Sequence, residues 1–162
     1  MKINRNNTMN MRQQIGDALP TYVYKTADQT AIGAAFADVT GMGFTVVANT
    51  AYAFEYHLIM DADATTTGIY AAVNGPAAPT AINYTLTYWG ASLTTASQLA
   101  VAYDTACTHI NSQGTAQAIY VIRGILRNGA NAGTLIARAG REAVGSGPNV
   151  RTGSYGWIRK IA

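Results

Sequence analysis

AYAFEYHLIMD, residues 51–61, alternates large and small side chains. Tyr52, Phe54, Tyr56, Leu58 and Met60 are large and apolar, and Ala53, Glu55 and His57 stand between them. A period of two sends successive side chains to opposite faces of a strand, so this segment has one face for a core and one for solvent or a partner. Residues 82–89, INYTLTYW, repeat the pattern. Ile82, Tyr84, Leu86 and Tyr88 share one face, and Asn83, Thr85 and Thr87 share the other.

The same logic extends along the chain. TYVYKT (21–26), AAFADVT (34–40), GFTVVA (43–48), GIYAAVN (68–74), SQLAVAYD (97–104), TAQAIYVIRGILRN (115–128), AGTLIARAGRE (132–142) and SYGWIRKI (154–161) all read as strands. Gly41-Met42-Gly43 marks a turn or bulge, Gly75-Pro76 a stop, and GSGPN (145–149) a loop. Some nine or ten strands at roughly 8–12-residue spacing predict an all-β sandwich or barrel. No helical period separates the strands, which argues against parallel βαβ units.

Residues 1–20 are different in kind: rich in Asn, Gln, Met and Arg. Asn10 can cap a short helix, with Gln13 at the capping-box position and Met11, Ile15 and Leu19 on one face, until Pro20 ends it. About ten residues make a marginal helix without a surface to pack on. The expected organisation is an extended or partly helical N-terminal arm, 1–20, ordered on contact, followed by one antiparallel β-sandwich domain, 21–162.

Of the 162 residues 49% are hydrophobic and only 12% charged, about half the usual charged share. Small neutral polar residues cover this chain instead, a composition that suits life in an assembly or outside a cell better than a cytosolic enzyme. The net charge of +3 is unevenly placed: +2 over residues 1–20, −5 over 21–104 and +6 over 105–162. The arginines of the last segment are spaced along strands, so the acidic and basic segments are expected to meet each other, within a subunit or between neighbours, rather than nucleic acid. The N-terminus has no apolar signal segment and no run approaches the ~18 apolar residues of a membrane helix, so synthesis in the cytoplasm without export by that route is expected, and no membrane partner.

Reactive groups are few. Cys107 is the sole cysteine, two residues from His109; it reads as a small buried apolar residue, since nothing marks the rest of a triad. Asp61 and Asp63 with Thr65, Thr66 and Thr67 fall short of the six to eight oxygens that Ca²⁺ needs. His57 and His109 have no third ligand at metal spacing; His57 is expected to point outward beside Glu55. Glu55 and Asp104 could serve glycoside cleavage only in one cleft, and Asp104 reads as a turn residue. Gly140, Gly145 and Gly147 with Arg138 and Arg141 form no phosphate loop, because no helix follows. Trp89 and Trp157 are expected in the core, with a sugar-stacking platform as the alternative. No catalytic residue, cofactor or metal is expected.

Several stretches together resemble a family of small structural proteins of tailed bacteriophages: TADQTAIGAAFADVTGMGFTVVANTAYAFEYHLIMDADATTTGIYAAVNGPAAP (26–79), VAYDT (101–105), YVIRGILRNGANAGTL (120–135) and RTGSYGWIRKI (151–161). The family pattern has a "valanT-Y-FE" strand, a TTG turn, a VNGP loop, an I-x-G-I-x-R-x strand and a final GS-aromatic strand, in this order. The resemblance implies a jelly-roll-like, often trimeric virion sandwich on heads, tails or fibres. The expected function is that of a non-enzymatic head decoration (cement) protein, located in the virion, whose trimer binds the major capsid protein or other virion proteins. Lys2, Arg5, Met11, Arg12 and Ile15 of the arm are the expected anchors, and Arg123, Arg127 and Arg138 the candidates to reach neighbouring subunits. A tail, baseplate or head-fibre component binding a host-surface glycan is the second expectation, and a cell-wall glycan hydrolase the third.

Overall fold

The computed structural model describes residues 19–161 apart from 31, 34, 63–67, 90–94, 106, 110–114 and 142–146. The proposed arm anchors Lys2, Arg5, Met11, Arg12 and Ile15 therefore lie outside the described residues, as do Asp63, Thr65–Thr67, Glu142 and Gly145. Among the described residues there is no helix. Eleven strands run β1 Thr21–Tyr24, β2 Ala37–Val46, β3 Ala51–Asp61, β4 Ile69–Asn74, β5 Ala81–Trp89, β6 Thr95–Ala100, β7 Cys107–His109, β8 Ala118–Arg127, β9 Gly133–Arg141, β10 Asn149–Val150 and β11 Tyr155–Lys160.

They form two antiparallel sheets. The larger has the order β1-β11-β3-β8-β5-β6, with β10 paired to the end of β3, and the smaller has the order β2-β9-β4-β7. Setting aside the β5–β6 hairpin and the two-residue β10 leaves eight strands. Numbered along the chain, their orders are 1-8-3-6 in one sheet and 2-7-4-5 in the other. That interleaving is the jelly roll, two Greek keys folded face to face. The β5–β6 hairpin is an insertion between the fourth and fifth of these strands, and it extends the larger sheet beyond β8.

The alternating segment 51–61 is β3, flanked by β11 and β8 at the middle of the larger sheet. Phe54, Tyr56, Leu58 and Met60 are fully buried, each stabilising the fold by roughly 1.5–3 kcal/mol. Phe44 of β2 meets Tyr56 across the sandwich with ring centroids 5.4 Å apart, and the Tyr56 hydroxyl donates to the Leu135 carbonyl at 3.0 Å. Burial pushes the Tyr56 phenol well above its usual pKa. Two glycines make room for these rings. Gly124 stands opposite Phe54, and Gly156 opposite Tyr56.

The two strands expected at 34–40 and 43–48 are one strand, β2, whose pairing with β9 shifts between Asp38 and Gly43. Gly41, at φ +83°, takes up the bulge. The segment expected at 97–104 ends earlier, because Asp104 has φ +52° and its N–H bonds the Val73 carbonyl, as a turn residue. β7 and β10 are too short to display a period, and β10 begins inside the expected GSGPN loop.

Two arginines stitch distant segments together. Arg151 lies 2.6 Å from Asp61 and 2.9 Å from Asp28, and Asn149 donates to the same Asp61 at 2.7 Å. Arg138 lies 3.0 Å from Asp38 and 2.8 Å from Asp104, donates to the Phe36 carbonyl at 2.7 Å and sits over the Phe36 ring.

Candidate interaction surface

The odd-numbered face of β3 points away from the core. Register places its side chains in cross-strand rows. One row runs Tyr24, Tyr155, His57, Val121, Thr87, and the next Tyr22, Trp157, Glu55, Arg123, Thr85. Tyr22 and Tyr24 stack at 6.2 Å and are 49% and 62% exposed. Tyr155 stacks on the His57 ring at 4.5 Å.

Glu55 lies at the centre of this outer face and is only 8% exposed. Its carboxylate oxygens are both engaged: Oε1 with His57 Nε2 and Oε2 with Arg123 Nε, each at 2.5 Å. Burial pushes the Glu55 carboxyl up, but the Arg123 and His57 hydrogen bonds outweigh it and hold the group below its usual value. His57 does sit beside Glu55 on the outward face, as its parity required. A shallow depression of about 240 Å³ opens next to Arg123 between Thr85, Thr87 and Val121. The outer face thus carries a fixed charge pair beside exposed aromatic rings.

Asp104 is on the other sheet's side, bound by Arg138 and by Asn74 Nδ2 at 2.5 Å. Glu55 and Asp104 therefore do not share a cleft. Among the described residues, no group of three or more His, Cys, Asp or Glu is placed to hold a metal ion. The side chains of Cys107, His109 and Trp89 lie outside what the structure describes.

Trp157 corrects the expectation of core packing. It shares a face with Tyr155, but that face is the outer one, and the tryptophan is partly exposed; the adjoining Ile158 is the core residue. Parity along β11 fixed which residues travel together, and only pairing with β3 fixes which set faces inward. The three inter-subunit candidates separate. Arg123 and Arg127 share the outer face with Ile125 between them. Arg123 pairs with Glu55, Arg138 with Asp38 and Asp104, and Arg127 is exposed with no acidic partner among the described residues. Sequence reading passed over Arg159, across from Ala53, and Lys160, across from Tyr52, both equally unmatched and exposed. Charge totals held a hint of this, since the chain carries eleven Lys and Arg against eight Asp and Glu.

No known family profile and no curated protein matches the chain. Among solved structures, it is similar to that of the infectious bursal disease virus Gx strain at 12% identity and TM-score 0.22, over 89% of this chain and 41% of that one. It is also similar to the VP2 subviral particle of infectious bursal disease virus at 11% identity and TM-score 0.22, over 89% and 42%. A third similarity is to the T13 particle of that virus at 14% identity and TM-score 0.24, over 90% and 40%. The chain thus spans about two fifths of the length of these proteins. Likenesses this distant carry no functional argument, and the jelly-roll assignment stands on strand order.

Proposed function

We propose that this chain is a structural, non-enzymatic protein of a tailed-bacteriophage virion, and within that class a head decoration protein that binds the capsid surface as a trimer. Fold alone cannot carry the reading, because jelly rolls serve capsids, lectins and cupins alike. One observation supports it most: all five described acidic residues are engaged in ion pairs that hold the sandwich together, while large apolar side chains such as Leu19, Tyr22, Tyr24, Leu99 and Ile125 remain exposed. Ionisable chemistry serves stiffness, and apolar surface is left for neighbours. The resemblance of residues 26–79, 101–105, 120–135 and 151–161 to phage structural proteins supports the phage part of the reading. Many modest contacts, including those of the arm, would sum by avidity. Electron microscopy of purified particles tests this: the reading expects density for the chain on the outside of heads with threefold grouping, and its absence from heads overturns the decoration role.

A second reading has its own support. Tyr22, Tyr24, Tyr155 and Trp157 line one half of the outer face beside Glu55 and Arg123, which is the composition of a sugar-stacking platform. It would make the chain a tail, baseplate or head-fibre component that binds host glycans. A glycan array with the purified full-length protein distinguishes the two; retained signal lost on Trp157→Ala favours this second role.

A further inference from the structure

Asp28 and Asp61 hold Arg151, Asp38 and Asp104 hold Arg138, and Glu55 holds Arg123 and His57. Three exposed cations have no acidic partner among the described residues: Arg127, Arg159 and Lys160. All three lie at the end of the sandwich where β3 begins. Arg127 is across from Ala51 on the β8 side, Arg159 across from Ala53 on the β11 side, and Lys160 across from Tyr52.

The surroundings are built for contact with another surface. Arg127 and Arg159 rise from strands about 10 Å apart, two strand spacings, and the floor of β3 between them consists of two alanines. Val47, Ile125, Ile161 and Leu19 add exposed aliphatic side chains at the same end. Two shallow depressions flank the shelf. One of about 310 Å³ has Arg127 on its rim with Thr50, Ala51 and Thr80. The other, of about 280 Å³, lies among Leu19, Val47, Tyr52 and Lys160.

We infer that this end docks an acidic, partly apolar surface of a different protein, with carboxylates seated on Arg127 and Arg159 and Lys160 at the rim. The inference rests on the virion reading, which makes that protein another virion component. Charge favours a different protein: a second copy carries the same net +3, and its five described carboxylates are already engaged. Interface cores are more apolar than the remaining surface and enriched in Arg, which fits Arg127 and Arg159 beside these exposed aliphatic groups. A phosphate-tracking groove would instead interleave cations with aromatics that stack bases; here Arg159 has Trp157 two residues along β11, but Arg127 lies among Ala51, Ala81 and Ile125.

The test compares three full-length proteins: wild type, the triple variant Arg127→Gln/Arg159→Gln/Lys160→Gln, and a charge-matched control, Thr26→Glu/Ala116→Glu/Gln117→Glu, at exposed positions elsewhere. Each is titrated onto purified particles assembled without this chain, at low and moderate salt, and onto 30-base-pair DNA and phosphatidylserine vesicles. Sedimentation velocity reports self-association, and thermal melts confirm that all three fold. Docking as inferred predicts that the triple variant binds particles about 100-fold more weakly than wild type, that wild-type binding weakens with salt, and that the control stays within about threefold. Equal binding by wild type and triple variant overturns the inference while leaving the virion reading intact. Loss of a homo-oligomer in the triple variant alone overturns it in favour of a second copy, and tighter wild-type binding to DNA or vesicles than to particles overturns it in favour of phosphate. Wild-type protein that ignores the particles altogether removes the virion reading, and this inference with it.

Discussion

Gly124 faces Phe54 across the β3–β8 ladder so closely that a Cβ at position 124 would stand 2.6 Å from Phe54 Cζ. The same Cβ would meet the Asn83 carbonyl at 2.5 Å and Tyr84 Cβ at 2.7 Å. Backbone and ring hemmed in on both sides cannot yield cheaply, so Gly124→Ala is expected to destabilise the fold by about 1–3 kcal/mol. Phe54→Ala, which leaves a cavity instead, should cost about 3–5 kcal/mol. Chemical denaturation of the two variants checks both values. A neutral Gly124→Ala would mean that β3 and β8 do not approach in this register.

Arg123 and Arg138 both carry ion pairs but in different settings. The Arg123 side chain is 70% exposed and has one acidic partner, whereas Arg138 holds two carboxylates and a carbonyl between strands of the smaller sheet and the loops beside it. Arg123→Gln leaves the nearly buried Glu55 with His57 alone and should cost about 1–2 kcal/mol, and Arg138→Gln, which releases two carboxylates and a carbonyl, about 2–4 kcal/mol. Denaturation midpoints that rank the two in reverse would show that Arg123, not Arg138, is the structural arginine.

Acid should loosen the fold through Asp61. Burial pushes its carboxyl up, yet the Arg151 and Asn149 hydrogen bonds outweigh that and hold it below the ordinary value. A carboxylate with a lowered folded-state pKa contributes stability that is fully present above its unfolded value, about 3.9, and is lost as the pH falls through the folded value. Glu55, also lowered, acts in the same direction. Stability should be flat from about pH 7 to 5 and fall below pH 4. Arg151→Met should cost about 3 kcal/mol at neutral pH by leaving Asp61 buried without its cation, and should flatten the acid limb. Urea titrations across pH test both, and an unchanged acid limb in the variant would contradict the assignment.

Trp157 reports on the outer face. In a Trp89→Phe background its fluorescence should be readily quenched by acrylamide, as a partly exposed indole beside Tyr22 requires. Resistance to quenching would place it in the core after all.

Much of this architecture could be read before any coordinates. The unbroken alternation at 51–61 and 82–89 gave β3 and β5 to within a residue, because a strand with one buried face must alternate. What sequence could not supply was pairing. Alternation on 155–159 made Tyr155 and Trp157 companions without saying that they face outward. The jelly roll itself is a matter of which strands are neighbours, and segments as short as β7 and β10 carry no period at all. The interaction surface was legible only in part for a related reason. Arg127 was marked by its spacing from Arg123, but an unmatched cation is defined by which acids are already engaged, and that is a property of the folded chain. Arg159 and Lys160 stand out only once Asp38, Glu55 and Asp61 have been assigned to other arginines.

The most direct measurement of the proposed role is the copy number of this chain in purified particles, by quantitative mass spectrometry against the major capsid protein. A structural head component predicts a fixed ratio across preparations, in multiples of three copies per particle, that survives washing in moderate salt. Trace or absent chain in infectious particles would contradict that role.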